Sequence, residues 1–348
     1  MASGEPANAL GRLSREELLA LATRVLHANG LGLEDAGEAA EILVLADLFG
    51  ISTHGVERLP SYVDRMRTGG VDPAAAVTIE TVAPALLRVD GNNGLGPVVG
   101  QKALRACLAA ARQTGLAAAF VRGSNHFGPT IPYTYLATQR GFASIVASNA
   151  TTTIAPTGGR GARLGNNPLG IGVPNPKGDP VILDMAMSVV ARAKIRRAAA
   201  SGQAIPPTWA TDREGQPTAS PHEALEGFLL PFGGYKGYGL ALMVDLLTGL
   251  LSDAAYLTHV SSWVDSPQDP QNLGHFFLCI DTGRLGSQAW LGAAMQDFVG
   301  ILKDTPATDP AHPVLVPGEM EMNAFKRNSR EGIAIPAPLL EKLKAIAR

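Results

Sequence analysis

Apolar residues recur with a helical period along the first seventy positions of the chain. Ser14 followed by Glu17 forms a capping-box pattern, which predicts the start of a helix that ends at 29–30. Two further helices are predicted over 34–49 and 54–68 by the same spacing and by the glycines that follow them. The N-terminal part of the chain is therefore predicted to be helical.

After residue 73, short β-prone runs alternate with helical segments. The predicted strands span 77–82, 85–89, 116–121, 142–148, 169–173, 180–183 and 275–280. The predicted helices span 97–114, 132–140, 238–251, 287–302, 319–329 and 338–346. A polar stretch at 202–221 contains prolines and is predicted to be a surface loop.

An alternating middle between helical ends predicts an α/β fold class with a second, helical domain. The helical domain is expected to combine both chain ends, residues 1–75 and 310–348, while residues 76–309 are expected to form the α/β domain. The length of 348 residues agrees with two domains at about 150 residues each.

The charge balance excludes several classes of partner. With 29 basic and 31 acidic residues, the chain has no overall charge for nucleic acid or an anionic membrane surface. The most apolar stretch, 239–251, is shorter than the about 20 residues that a spanning helix needs, and residues 1–5 lack a leader pattern. Two cysteines without a Cys-x-x-Cys pair suggest no disulfide framework, so we expect a cytoplasmic protein.

Common motifs for enzyme chemistry are missing from the sequence. There is no Gly-x-Gly-x-x-Gly between a strand and a helix, and no Gly-Lys-Ser/Thr for nucleotide phosphates. The zinc motif His-Glu-x-x-His and the nucleophile motif Gly-x-Ser-x-Gly are missing too. Any chemistry must therefore come from less common arrangements.

One such arrangement is the segment Ser-Thr-His-Gly at 52–55, with an arginine shortly after it. If the third helix begins here, His54 and Arg58 lie on the same face, one turn apart. A histidine can protonate a carbonyl or an imine, and an arginine can hold a carboxylate with two hydrogen bonds. The pair therefore indicates a site for a 2-oxo or 2-imino acid, the alternative being a capped helix start with a solvated arginine.

Two glycine-bracketed segments indicate ligand loops. Residues 123–128 (Gly-Ser-Asn-His-Phe-Gly) follow a predicted strand, where the sites of α/β proteins collect. The alternative there is a turn that holds a structural histidine. Residues 231–237 precede a helix and contain Lys236, so free N–H groups and a cation would meet a phosphate, the alternative being a tight turn.

Asp184 ends an apolar strand and needs a partner if it is buried. A carboxylate behind an imidazole fixes the tautomer of the ring, so His54 is one expected partner. The alternative is that Asp184 caps a short helix that begins at Met185. The other histidines, at 27, 222, 259, 275 and 312, are expected to be structural or solvated.

Taken in order, these motifs resemble the malate/L-lactate dehydrogenase family that is distinct from the Rossmann-type lactate and malate enzymes. The likeness runs from Ser14 to about Ile333 and rests on Ala46-Asp47 and on 52–55, 123–128, 183–186, 233–239, 272–274 and 317–319. The resemblance implies a helical domain from both chain ends and an α/β domain that binds NAD(P)H without the usual glycine fingerprint. It also implies a homodimer with the active site in the cleft between the domains.

The resemblance further implies roles for single residues. His54 would be the acid/base, supported by Thr53 and Asp184, while Arg58 would hold the substrate carboxylate. His126 is implied as the alternative acid/base. The implied cofactor contacts are His126, Phe127, Gly128, Pro129, Thr130, Lys236, Gly237, Pro317, Gly318 and Glu319, and the implied further substrate contacts are Asn166, Met185 and Met187.

The sequence departs from the family pattern at Thr53, Asn166, Met187 and Tyr235, where Ser, Thr, Thr and His are more frequent. Asn166 and Met187 fall where substrate contacts are implied. A methionine in place of a hydroxyl group predicts a less polar substrate. Each misfit contact would change the free energy of discrimination between substrates by about 1–3 kcal/mol.

We therefore predict an NAD(P)H-dependent oxidoreductase that interconverts a 2-oxo acid and its 2-hydroxy acid, with a histidine as acid/base and no metal. One alternative is a reductase of cyclic imino acids such as Δ1-piperideine-2-carboxylate or Δ1-pyrroline-2-carboxylate. Another is a catalytically inactive cofactor-binding protein. The expected partners are a small carboxylate and a second copy of the chain, with no nucleic acid and no membrane.

Overall fold

The computed structural model describes residues 10–348, and these form a mixed α/β structure, as predicted. The strands are β1 Leu10–Leu13, β2 Thr78–Ala83, β3 Leu86–Asp90, β4 Leu116–Ser124, β5 Phe142–Ser148, β6 Thr152–Ile154, β7 Leu164–Gly165, β8 Leu169–Val173, β9 Val181–Met185, β10 Leu273–Asp281 and β11 Ile333–Pro336. The helices are α1 Arg15–Ala28, α2 Leu33–Leu48, α3 Leu59–Thr68, α4 Gly96–Thr114, α5 Ile131–Thr138, α6 Arg192–Ala200, α7 Pro221–Glu226, α8 Tyr235–Asp245, α9 Gln288–Lys303, α10 Glu319–Glu331 and α11 Ala337–Ile346.

A seven-stranded sheet with the order β2-β3-β4-β10-β5-β8-β9 forms the centre of the molecule. β3 runs parallel to β4, while β10 is antiparallel to both of its neighbours, β4 and β5. β8 is antiparallel to β5 and to β9. The carboxyl ends of β3, β4, β5 and β9 therefore meet at one edge of the sheet, where sites of α/β proteins collect.

The sheet separates two hydrophobic clusters, because alternate side chains of a strand point to opposite faces. Phe277 of β10 belongs to the first cluster, with α4, α5 and the helices α1 to α3. Its neighbour Phe276 packs against the second cluster, which takes in α6, α7 and α8. Helix α8 has a polar neighbour inside this cluster, since buried Asp245 accepts a hydrogen bond from Asn167.

The two chain ends meet in a short antiparallel ladder that the sequence did not predict. β1 pairs with β11 from Leu10 opposite Pro336 to Leu13 opposite Ile333, and α11 packs against α1. The N-terminal part is thus not wholly helical. The division into domains at 75/76 and 309/310 remains a prediction, since the first cluster continues from α1 into α4 and β10. Residues 1–5, where no leader pattern was found, lie outside the described part.

Most predicted elements are confirmed to within a few residues. The capping box exists as predicted: Ser14 Oγ accepts from the N–H of Glu17 at 3.1 Å, and Glu17 Oε2 accepts from the N–H of Ser14 at 2.8 Å. The loop at 202–221 is not simply a surface loop, because Ile205 and Ala210 are buried in the second cluster. Between residues 10 and 348, no helix has both the length and the hydropathy to cross a bilayer.

Gly274, near the start of β10, tests this packing. A Cβ at this position would lie 1.5 Å from the carbonyl oxygen of Thr248, so Gly274→Ala should lower the free energy of unfolding by about 2–4 kcal/mol. Gly300 in α9 has open space around it, so Gly300→Ala should raise that free energy by up to about 1 kcal/mol. Urea denaturation of both variants measures the difference, and a neutral Gly274→Ala would contradict the packing.

Candidate active site

The turn that carries the predicted histidine is not part of a regular helix. Two 3-10 turns, Ser52–His54 and Val56–Arg58, precede α3, which begins only at Leu59. Asp47 of α2 causes the break: its Oδ2 accepts from the N–H of Val56 at 2.8 Å, and its carboxyl group occupies the space that a Cβ at Gly55 would take. The predicted helix over 54–58 is therefore wrong.

The side chains of this turn are still close together. Thr53 Oγ1 lies 3.0 Å from His54 Nδ1, and Arg58 Nε donates to the carbonyl oxygen of Thr53. Within residues 10–348 the two terminal nitrogens of Arg58 have no hydrogen-bond acceptor. Two such nitrogens can bind both oxygens of a carboxylate.

The glycine-bracketed loop after β4 brings a second histidine to the first. The ring of His126 lies 5.5 Å from the ring of His54, centroid to centroid. The hydroxyl of Tyr62 lies 2.7 Å from His126 Nδ1, and the indole of Trp263 stacks on His126 at 4.8 Å and 16°. The two candidate acid/base residues thus share one site with Arg58.

Burial makes both imidazoles poor bases. Burial, together with a smaller contribution from the nearby charge of Arg58, lowers the pKa of His54 to about 4. Burial also holds the pKa of His126 well below its usual value, with smaller contributions from His54 and Arg58. Both rings are therefore neutral at pH 7. An anion bound at Arg58 would offset the positive charge of the arginine, which is one of the causes of the low histidine pKa values.

Asp184 does not pair with His54, and it does not cap a helix at Met185. Its Oδ1 accepts from Thr130 Oγ1 at 2.7 Å, and its Oδ2 accepts from the N–H of Ile131 at 2.9 Å. Burial raises the pKa of Asp184, and the hydrogen bond from Thr130 partly offsets this. The carboxylate therefore fixes the start of α5, where the helix dipole favours negative charge.

The implied substrate contacts divide into accessible and inaccessible side chains. Asn166 and Met185 are half-buried at the edge of the sheet. Met187 is completely buried in the second hydrophobic cluster, and its N–H donates to the carbonyl oxygen of Asn166 at 2.8 Å. The side chain of Met187 is thus enclosed in this arrangement, and its effect on substrate polarity stays a prediction.

The glycine segment before α8 forms an open helix start. Gly233 and Gly234 adopt φ angles of 58° and 63°, and neither has an atom near the position of a Cβ. Lys236 is exposed in the first turn of α8, whereas Gly237 packs on the carbonyl oxygen of Phe232. A cavity of about 420 Å³ lies beside this start, lined also by the loop 155–160.

The third implied cofactor segment lies against β9. The carbonyl oxygen of Pro317 accepts from the N–H of Ile182 at 3.1 Å, and Gly318 approaches the same residue. The carboxylate of Glu319 binds Lys303 Nζ at 2.7 Å, and this hydrogen bond lowers the pKa of Glu319. The charge of Glu319 is thus already compensated within the chain.

Four residues of the site were missed by the sequence analysis: Tyr62, Arg65, Trp263 and Gln271. Arg65 is buried and donates to Gln271 Oε1 at 2.8 Å, and the same oxygen accepts from the N–H of His126 at 3.2 Å. Tyr62 and Arg65 follow Arg58 at helical spacing, and this spacing could have indicated from the sequence that they lie near it. Trp263 and Gln271 lie in a loop without any periodic pattern.

His275, one of the histidines expected to be structural or solvated, is buried and hydrogen-bonded within the fold. It is fully buried, with Ser148 Oγ at 2.8 Å from Nδ1 and Ser124 Oγ at 2.7 Å from Nε2. Its ring stacks on Phe127 at 4.1 Å and 6°. Burial lowers its pKa to about 3, so the ring is neutral at pH 7.

Fold and site together place an arginine beside two neutral histidines, on an α/β fold without the Rossmann fingerprint. A family model described as malate/L-lactate dehydrogenase matches residues 13–344. The chain therefore belongs to the malate/L-lactate dehydrogenase family, which confirms the resemblance seen in the motifs.

Individual relatives cover nearly the whole chain. The L-sulfolactate dehydrogenase of Methanothermobacter thermautotrophicus is 36% identical over 97% of this chain and 96% of that protein. The Δ1-pyrroline-2-carboxylate reductase of Ancylobacter novellus is 34% identical over 96% of this chain and 97% of that protein. The structure of the malate dehydrogenase of Pyrococcus horikoshii OT3 superimposes with a TM-score of 0.87 at 32% identity, covering 100% of this chain and 98% of that one.

Ring titration by NMR tests the electrostatics of the site without any substrate. His54 should remain neutral down to about pH 5, with His54→Gln and His126→Gln identifying the two rings. Arg58→Gln should raise the pKa of His54, because a positive neighbour that disfavours the imidazolium is gone. Arg24→Gln, on the exposed face of α1, should leave the titration unchanged; an ordinary His54 pKa in the unaltered protein would refute the described site.

Proposed function

We propose that the protein is an NAD(P)H-dependent oxidoreductase that interconverts a 2-oxo acid and its 2-hydroxy acid. The observation that carries the proposal is the pairing of His54 with His126 at 5.5 Å, beside Arg58, whose terminal nitrogens have no acceptor within residues 10–348. This arrangement offers a carboxylate anchor and a proton carrier at neighbouring positions, which is what a 2-oxo acid requires.

Substrate binding prepares the proton transfer in this proposal. Arg58 holds the substrate carboxylate, which turns the neighbouring carbonyl oxygen toward the two imidazoles. The bound anion offsets the charge of Arg58 and so raises the pKa of His54 from about 4, which lets the ring hold a proton. One imidazole then gives this proton to the oxygen during reduction and takes it back during oxidation.

The chain also offers residues that fit a nicotinamide cofactor, which supplies or accepts the hydride when bound. The open start of α8 with Lys236 suits a phosphate group, because free N–H groups and a cation meet there. The cavity of about 420 Å³ beside it is of the usual size for a ligand site. Further contacts with the cofactor would come from residues 126–130 and 317–318. The carboxylate of Asp184 holds Thr130 in place.

We further propose a cytoplasmic homodimer with the two domains described above. Exposed apolar side chains on α8, on the turn that follows it and on α9 support a second copy as partner, since such patches mark interaction sites. They are Met243, Leu250, Leu251, Phe298 and Ile301. Cys107 and Cys279 are buried and unpaired, as is usual in a reducing compartment.

Reduction of a cyclic imino acid is the second candidate function. The low pKa of both histidines favours it, because a protonated imine brings its own proton and demands less of the acid. A relative named for Δ1-pyrroline-2-carboxylate covers almost the whole chain. The third alternative, an inactive cofactor-binding protein, predicts nucleotide binding without turnover.

Nicotinamide absorbance with purified protein and NADH or NADPH tests these candidates. The substrates are pyruvate, oxaloacetate, phenylpyruvate and Δ1-piperideine-2-carboxylate. We expect oxidation of the nucleotide by an oxo acid, and a fall in kcat of about 10²–10⁴-fold in His54→Ala or His126→Ala, whichever ring carries the proton. Preference for the imine would establish the second candidate, and binding without turnover would refute both.

Removing the proposed carboxylate anchor should act mainly on binding. Arg58→Gln should raise KM for the oxo acid about 100-fold, as expected for loss of a charge-assisted, two-bond contact. Arg24→Gln, exposed on α1, is the matched control and should change neither KM nor kcat. An unchanged KM in Arg58→Gln would show that the carboxylate binds elsewhere.

A further inference from the structure

Trp263 lies against the side chains that form the proposed site. Its indole stacks on His126 at 4.8 Å, and the guanidinium carbon of Arg58 lies 5.5 Å from the ring centroid. The ring of Tyr62 is 6.3 Å away. Trp263 thus contacts both the proposed carboxylate anchor and one of the two proposed proton carriers, and it is itself only half-buried.

The loop that carries Trp263 is fixed to α3 by buried Arg65. Its Nε donates to the carbonyl oxygen of Pro267 at 3.2 Å, and its Nη2 donates to that of Asp269 at 2.8 Å. Its Nη1 donates to Gln271 Oε1, which also accepts from the N–H of His126. These hydrogen bonds hold the loop in place, so its indole forms one wall of the site.

The charged groups near His126 determine which anionic groups of a substrate can be bound next to Trp263. The groups that act on His126 are His54, Arg58, Arg65 and His275. Both ring nitrogens of His275 are bonded to serine hydroxyls, and Nε, Nη1 and Nη2 of Arg65 are all engaged by loop acceptors. Among these groups, Arg58 is the one cation whose terminal donors have no acceptor within residues 10–348.

A 2-oxo acid has three groups around its reacting carbon. In the proposed function, on which this inference rests, the carboxylate occupies Arg58 and the oxygen faces the histidines. The remaining substituent then lies beside the side chain that contacts both anchors, which is Trp263. The face of an indole carries negative potential, so it suits an apolar group and repels a second anion.

We propose that Trp263 is a specificity-determining residue that selects monocarboxylic 2-oxo acids with apolar side chains. Malate and sulfolactate, after which relatives of this chain are named, carry a second anionic group. Among the charged groups that act on His126, Arg58 alone has terminal donors without an acceptor within residues 10–348, and the proposed function assigns these donors to the first carboxylate. The chain should therefore differ from these relatives in substrate choice.

Steady-state kinetics with matched variants test the selection. The unaltered protein should show a kcat/KM at least about tenfold higher for phenylpyruvate than for oxaloacetate. Trp263→Phe should keep this preference, because an aromatic face remains. Trp263→Ala should lower kcat/KM for phenylpyruvate about tenfold or more but change that for pyruvate about threefold or less. Trp290→Phe, on exposed α9, is the control and should change nothing.

Introducing a positive charge at position 263 tests whether the selectivity can be shifted toward dicarboxylic substrates. Trp263→Arg should raise kcat/KM for oxaloacetate relative to phenylpyruvate by about tenfold or more, since it supplies the missing cation. Equal losses for pyruvate and phenylpyruvate in Trp263→Ala, or an unchanged ratio in Trp263→Arg, would overturn the proposal.

Binding without nucleotide separates this inference from the proposed function, because no oxidation can then occur. In a Trp209→Phe/Trp290→Phe background, Trp263 is the one remaining tryptophan of three. Phenyllactate should quench its fluorescence with a Kd about tenfold or more below that of malate. This result without turnover would refute the oxidoreductase but support the selectivity; turnover with equal or tighter malate binding would refute the selectivity alone.

Discussion

The site depends on the enclosure of two imidazoles beside an uncompensated guanidinium. His54, His126 and Arg58 come from two separate parts of the chain, and burial keeps both rings neutral. Within residues 10–348, the carbonyl oxygen of Thr53 is the one hydrogen-bond acceptor of Arg58. In the proposed function, a small carboxylate binds here, and its charge offsets that of the arginine, so that a neighbouring ring takes a proton more readily.

The surrounding fold keeps these groups in position from three sides. Asp47 breaks the helix at Gly55 and so sets the direction of the His54 turn. Asp184 fixes the start of α5 behind the His126 loop, and Arg65 ties the Trp263 loop to α3. Each of these three side chains is engaged by hydrogen bonds, as expected for charged groups away from solvent. Burial also raises the pKa of Asp47 to about 7, so the turn is held by a carboxyl group that titrates near neutrality.

Regular elements and the family could be predicted from sequence because periodicity and ordered motifs are local properties. The capping box at Ser14 and the strand over 142–148 are direct examples. Contacts between distant segments could not be predicted in the same way: Asp184 has partners in α5 rather than His54, and Met187 is enclosed by a cluster formed from several helices. Trp263 lies in an irregular loop, where only the folded chain reveals its neighbours.

Proton uptake on binding of a carboxylate tests the coupling between Arg58 and the histidines most directly. Oxamate, which mimics a 2-oxo acid but is not reduced, can be titrated by calorimetry at about pH 5.5 in two buffers of different ionisation enthalpy. The account predicts net uptake of protons by the unaltered protein, and its loss in Arg58→Gln. Binding without proton uptake would contradict it.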